Sequence, residues 1–274
     1  MGTAIIVSPL ALPSVTASSS AGGYSPAYVD NDFMGVVWRS ATGSASQSLT
    51  VDFGGDVAID TALMLGCTGA TGDWTLTVQA ATAAQGPGFP GGSWSSGAGP
   101  FLAGTAMPVN GRGKALWMAP EDGGPPAARY WRFTIGGLSG GAATVARLVL
   151  GMRIALARNF QFGATFGVRD LGSTEFSVRG VLLRRRGAKL RALGLTFGSV
   201  YRDEVEGQVS PLVERAGNSE PIAIVIDPDP HAQRQNRIWF GPLVGDVGMV
   251  WAKASGFEWR CNLVDLSGLV QAGG

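Results

Sequence analysis

"ARYWRFTI", residues 128–135, sets three aromatic rings and two arginines into eight positions. Read with the two-residue period of an extended chain, Trp131, Phe133 and Ile135 fall on one face, and Tyr130, Arg132 and Thr134 on the other. The aromatic density is therefore that of a core-facing strand with a polar outer face. The same alternation recurs upstream. In "SLTVDFG" (48–54) the apolar set is Leu49, Val51 and Phe53, and in "WTLTVQA" (74–80) it is Trp74, Leu76 and Val78. A chain with 42 Gly, 15 Pro and only 15% charged residues suits short strands joined by tight turns. Its 45% apolar content and formal charge of +1 exclude a disordered polyampholyte.

At 274 residues the chain has room for two domains. "TVARLVLGMRIAL" (144–156) reads as the strand that closes the first, giving boundaries of 1–155 and 156–274. Between 80 and 128, Gly, Pro and Ser clusters predict a long irregular segment in which Phe89, Trp94, Phe101 and Trp117 need something to pack against. In the second half, "FSVRGVLLRRRGAKLRALGLTFGSV" (176–200) reads as a strand, a basic turn at "RRRGAK" and a returning strand. "SVYRDEVEGQVSPLVERAGNSE" (199–220) is the best helix candidate, with Val205, Val209, Leu212 and Val213 near helical spacing, interrupted by Gly207 and Pro211. "PIAIVIDPDP" (221–230) is a buried strand stopped by Pro-Asp turns, and 237–266 supplies two or three more. The expected class is mainly β: an N-terminal antiparallel sandwich of jelly-roll type, then a C-terminal β-barrel or sandwich with one helix.

Residues 1–150 carry 6 basic against 8 acidic side chains and residues 151–274 carry 15 against 12. Neither half is a polycation able to bind nucleic acid by counterion release. No stretch approaches the ~20 apolar residues that span a bilayer. The N-terminus lacks a positive n-region, and Pro9 and Pro13 break its apolar run, so it reads as a strand and loop rather than a signal peptide, with synthesis in the cytoplasm expected. Cys67 and Cys261 are expected as buried small hydrophobes, and the single histidine, His231, as a loop residue with no zinc spacing around it.

Enzymatic signatures are absent: no P-loop, no G-x-S-x-G elbow, no H-E-x-x-H, no second histidine. A non-enzyme is expected. Asp30, Asp32 and Glu121 are the carboxylates open to glycosidic acid/base work, but Asp and Asn beside Gly or Pro are ordinary turn formers. No cofactor is expected: Asp30 and Asp32 in "VDNDFMGVVW" (29–38) read first as parts of a structural loop, with oxygens for a structural calcium as the alternative. Arg184, Arg185, Arg186 and Lys189 read either as a solvated turn or as ion-pairing groups at a subunit boundary.

With these segments in view, the first half resembles the discoidin-like, galactose-binding jelly rolls. "VDNDFMGVVW" matches their D-G-D-x-x-T-x-W segment, "LTVDFGGDVAID" (49–60) their V-D-L-G and I-D strands, and "ARYWRFTI" their R-Y-x-R-I strand, in order across residues 24–155. Asn31 stands where the family has glycine, two extra residues precede Trp38, and the stapling cysteines are missing. The family's ligands sit at loops at one end of the sandwich, which by location implicates Trp38, Phe89, Trp94 and Trp117, either stacking on a sugar or filling an internal cap. The second half is similar in layout to tail-tip proteins of long-tailed bacteriophages, through 160–180, 221–245 and the terminal "FEWRCNLVDL" (257–266). That resemblance implies a structural virion protein of the distal-tail type: a homo-oligomeric ring, trimeric or hexameric, between the tail tube and hub, with the jelly roll facing a host glycan. A free-standing carbohydrate-binding lectin is the alternative, and a glycoside hydrolase a third.

Overall fold

The computed structural model describes residues 2–253 and 256–270, the last two by their backbone alone. Its strands form several antiparallel sheets, and the chain divides into two compact units. The first is residues 7–153 together with 229–238, and the second comprises the described parts of 1–6, 154–228 and 239–274. The expected division at 155/156 lies two residues past the one found, and two further segments change sides. Residues 1–6 belong to the second unit, and the polar loop 229–238 returns to the first.

Eight strands build the sandwich of the first unit: β1 (Ser14–Ala17), β2 (Ser46–Val57), β3 (Thr61–Thr68), β4 (Thr75–Ala81), β5 (Trp94–Pro100), β6 (Arg112–Met118), β7 (Ala128–Gly136) and β8 (Arg147–Gly151). One sheet runs β1-β2-β7-β4-β5 and the other β8-β3-β6. The register explains why the opening stretch organises this unit. Trp131 pairs with Val51 and Ala80, Phe133 with Leu49 and Val78, and Ile135 with Gln47 and Leu76. All the apolar members of these rows are buried in one core, so alternation on three adjacent strands produces a single apolar face. Tyr130 and Arg132 lie on the opposite, half-exposed face, as alternation requires.

In the smaller sheet Ala62, Met64, Leu148 and Leu150 point into that core, while Leu63, Leu65 and Val149 are buried outside it, so both faces are covered. β3 carries a bulge between Met64 and Cys67. Gly66 sits there with φ +70°, and a Cβ on it would lie 2.6 Å from Cβ of Ala146. The region 80–128 is more regular than its composition predicts, since it contains β5 and β6. Phe101 closes the turn between them, buried and edge-on to Trp74 at 5.3 Å.

The second unit contains β9 (Thr165–Asp170), β10 (Ser173–Phe176), β11 (Leu182–Arg185), β12 (Lys189–Tyr201), β13 (Pro221–Val225), β14 (Ile238–Pro242), β15 (Met249–Lys253) and β16 (Gly256–Val270). A sheet β9-β12-β16-β15 and a second one, ordered Arg153–Ala155, Ile5–Val7, β13, β14, share a core. Phe197 stacks on Trp259 there at 5.3 Å. The helix α1 is continuous through Arg202–Glu204, Val205–Val209 and Ser210–Ala216. Its middle stretch is widened to i→i+5 bonding, with Ser210 N donating to Val205 O. Pro211 has no N–H and would crowd the carbonyl of Gly207 in a regular helix, so a wide turn just before it is the expected accommodation.

"RRRGAK" is not the turn of a hairpin. β9 pairs with β12 and β10 with β11, so residues 165–201 form one long ribbon whose tip is at 177–181, where Ser177 N donates to Val181 O at 2.9 Å. The ribbon is interrupted where Gly187 meets the backbone of Leu171 and Gly172, an approach that leaves no room for a Cβ. Two-residue alternation fits a turn at 177–181 as well as one at "RRRGAK" (184–189), so periodicity alone does not choose between them.

Candidate functional site: a tryptophan-lined cleft

β5 and β6 are edge strands of the two facing sheets, and the cleft between them has a volume of about 500 Å³. Trp94 opens β5 and Trp117 lies near the end of β6, both half-buried. Their rings meet edge to face at 5.7 Å, and Trp117 meets the buried Trp131 at 6.3 Å, so a ladder of three indoles runs from the cleft into the core. The Trp94 Nε1–H donates to Gly123 O at 2.8 Å, which fixes that ring. Leu76, Leu116 and Met118 supply further apolar wall, and Ser95, Ser96 and Arg234 supply polar groups. Fixed indoles beside a few donors suit a ligand with one apolar face and several hydroxyls.

Arg234 comes from the returning loop 229–238. Its Nε donates to Ala103 O at 2.6 Å, and burial pulls its guanidinium below the usual arginine range. The loop is fastened by Gln235, whose Oε1 accepts from Lys114 N at 2.8 Å and whose Nε2 donates to Gly104 O and Ala106 O. Lys114 is itself buried, and its ammonium donates to Ile238 O at 2.7 Å. A second cavity of about 430 Å³ lies on the same loop, walled by Ala70, Leu102, Met107, Pro230 and His231, with Arg234 shared between the two. Arg234 lies far along the chain from Met118 at the end of β6, so no strand or helix periodicity links it to the cleft. 

The other residues singled out in the sequence fall elsewhere. Trp38 is fully buried and donates from Nε1 to Ser19 O and Ser20 Oγ, both at 3.2 Å, so it fills the core and cannot stack on a ligand. Phe89 is half-buried under the Arg132 guanidinium, 3.9 Å from its ring centre, and does not line the cleft. Asp30 and Asp32 converge on Arg147, at 2.6 Å from Nη1 and 3.6 Å from Nε. Asp30 also accepts from Leu12 N at 3.1 Å. The two carboxylates face this guanidinium as an ion pair. No group of three metal-binding side chains occurs among the described residues. Glu121 is exposed in the loop after β6 and is not among the cleft residues. Arg184 and Arg185 end β11, exposed, with Arg186 and Lys189 beside them.

No family model matches the chain, and no curated protein matches it. Solved structures similar to it include a chitosan-binding module from a chitosanase/glucanase of Paenibacillus sp. IK-5, at 18% identity and a TM-score of 0.38 over 53% of this chain and 98% of that one. A fucose-binding module of Streptococcus pneumoniae is 13% identical, with a TM-score of 0.39 over 53% and 95%. A Clostridium perfringens module in complex with GalNAc-β-1,3-galactose is 15% identical, with a TM-score of 0.39 over 52% and 100%. At these identities and TM-scores the likenesses speak to neither ligand nor role.

Proposed function

We propose that the first unit is a carbohydrate-binding module whose site is the cleft between β5 and β6. The observation that carries this reading is the pair Trp94 and Trp117, half-exposed and fixed edge to face at 5.7 Å in an open cleft. A pyranose would lay its C–H face on one indole and direct hydroxyls to Ser95, Ser96 and Arg234. The test is a glycan array on the full chain, followed by calorimetric titration of the best ligand. Trp94→Ala and Trp117→Ala are each expected to weaken binding at least tenfold, about 1.4 kcal/mol, without unfolding the sandwich. Unchanged affinity in both variants would place binding elsewhere.

A second reading, a structural protein of a phage tail tip, is favoured by the exposed apolar ribbon of the second unit, which a self-contained lectin does not need. It predicts rings or tail-tip multimers by negative-stain imaging of the purified chain.

A further inference from the structure

The cleft of Trp94 and Trp117 does not end at Arg234. It and the second cavity, about 500 and 430 Å³, share Pro100 and Arg234 in their walls, so the two adjoin on the first unit. Each volume is that of a small-ligand site, and the pair outsizes a single pyranose. Two loops that are pinned to each other wall the second cavity. Ala106 N donates to Ala232 O at 2.9 Å, and Gly104 lies so close to the carbonyls of His231 and Ala232 that it has no room for a Cβ.

The polar chemistry of this surface is one-sided. No described residue lining either cavity carries a carboxylate or a carboxamide, and the side-chain oxygens present are the hydroxyls of Ser95, Ser96, Thr71 and Thr105. His231 Nδ1 accepts from Gln233 N at 3.0 Å, which in the neutral ring leaves the proton on Nε2, a donor. Arg234, where the cavities adjoin, is a donor fork with a fixed positive charge. A sugar hydroxyl must donate as well as accept, whereas an ionised carboxylate only accepts and fits such a fork in a bidentate manner. Burial has removed part of the water from this guanidinium, so an anion gains more there than on a fully solvated arginine. Glu121 and Asp122, in the loop after β6, are exposed and line neither cavity, which leaves the Arg234 end as the place for an acidic ring.

We infer that the two cavities are adjoining subsites for one acidic oligosaccharide built of hexuronate units. One ring lies against Trp94 and Trp117, a uronate carboxylate meets the Arg234 guanidinium, and the chain continues into the second cavity against Leu102 and Met107. The inference rests on carbohydrate binding at the cleft and adds to it the charge of the sugar and the number of rings held.

The test screens the full chain against an array of neutral oligosaccharides and of hexuronate oligosaccharides, each of the latter beside its methyl ester. The best uronate trimer, its ester and its monomer are then titrated by calorimetry. The free-acid trimer is expected to bind at least about tenfold tighter than either the ester or the monomer. Arg234→Gln is expected to bring acid and ester to the same affinity, while Arg234→Lys, which keeps the charge and loses the fork, retains a reduced preference for the acid. Thr105→Trp, an exposed position that puts an indole into the second cavity, is expected to bring trimer and monomer together. Acid and ester of equal affinity, both dependent on Trp94, would overturn the inference and leave a neutral-sugar site at the cleft, as would binding of neutral glycans alone. An acid preference that survives Arg234→Gln, or a trimer that binds no better than its monomer, would overturn it too. A chain that binds no glycan on the array would overturn it together with the carbohydrate reading.

Discussion

Arg147 shows how one side chain decides between two readings of the same acidic stretch. Its guanidinium is nearly buried, and both Asp30 and Asp32 turn to it. Arg147→Leu is expected to cost about 2 kcal/mol in urea unfolding, since it leaves two carboxylates facing an apolar side chain. Added calcium is expected to leave the wild-type melting temperature unchanged, because both carboxylates already face the Arg147 guanidinium. Asp52 illustrates a titrating contribution. Hydrogen bonds from the Arg129 guanidinium and from Gly54 N hold its carboxyl below the ordinary value of 3.8. A depressed folded-state pKa contributes stability that is complete above the unfolded value and lost as pH falls through the folded one. Asp52→Asn is therefore expected to flatten the acid limb of a stability–pH curve below about pH 4 and leave its neutral plateau shape unchanged. The two thiols answer to burial alone. Burial pushes Cys261 up to about 12 and Cys67 higher than that, so a thiol reagent at pH 8 should find no reactive cysteine until denaturant is added, and then two.

At the scale of elements, the bulge in β3 is the most exposed to a single change. Gly66→Ala would put a methyl group against Ala146 in a left-handed backbone conformation, and a loss of about 2 kcal/mol in thermal or urea unfolding is expected. Where alternation ran uninterrupted, element and face were both legible: Trp131, Phe133 and Ile135 on β7, Leu49 and Val51 on β2, Leu76 and Val78 on β4. The helix at 202–216 was legible too, although the wide turn that admits Pro211 was not, because a composition reading counts a proline as a cost without saying how the backbone absorbs it. β5 escaped notice for a different reason. "WSSGAGP" has no apolar alternation, since an edge strand open to solvent buries little and is held by backbone pairing to β4. Of the four aromatics singled out by loop position, Trp94 and Trp117 meet in the cleft and Trp38 does not. Sequence spacing carries no information on whether an indole at a strand start points inward, and here a hydrogen bond to Ser19 O satisfies the Trp38 Nε1–H while its ring is buried.

Across the whole molecule the chain is not laid out as two beads in sequence. The first unit is completed by 229–238, which brings Arg234 to the cleft and Gln235 to Lys114. Gln235→Leu on the full chain is expected to cost about 2 kcal/mol, because it strips partners from the buried Lys114 amide and from two half-buried carbonyls, and to weaken glycan binding through the displaced Arg234. Differential scanning calorimetry with and without the ligand separates the two effects. A fragment ending at 155 would lack the same groups, so the natural unit for binding work is the full chain. The interleaving also sets an order in time. During synthesis, strands β1 to β8 leave the ribosome long before residue 238, so the hydrogen bonds of Lys114 to Gln235 and Ile238 can form only after the intervening 75 residues from 154 to 228 have been made.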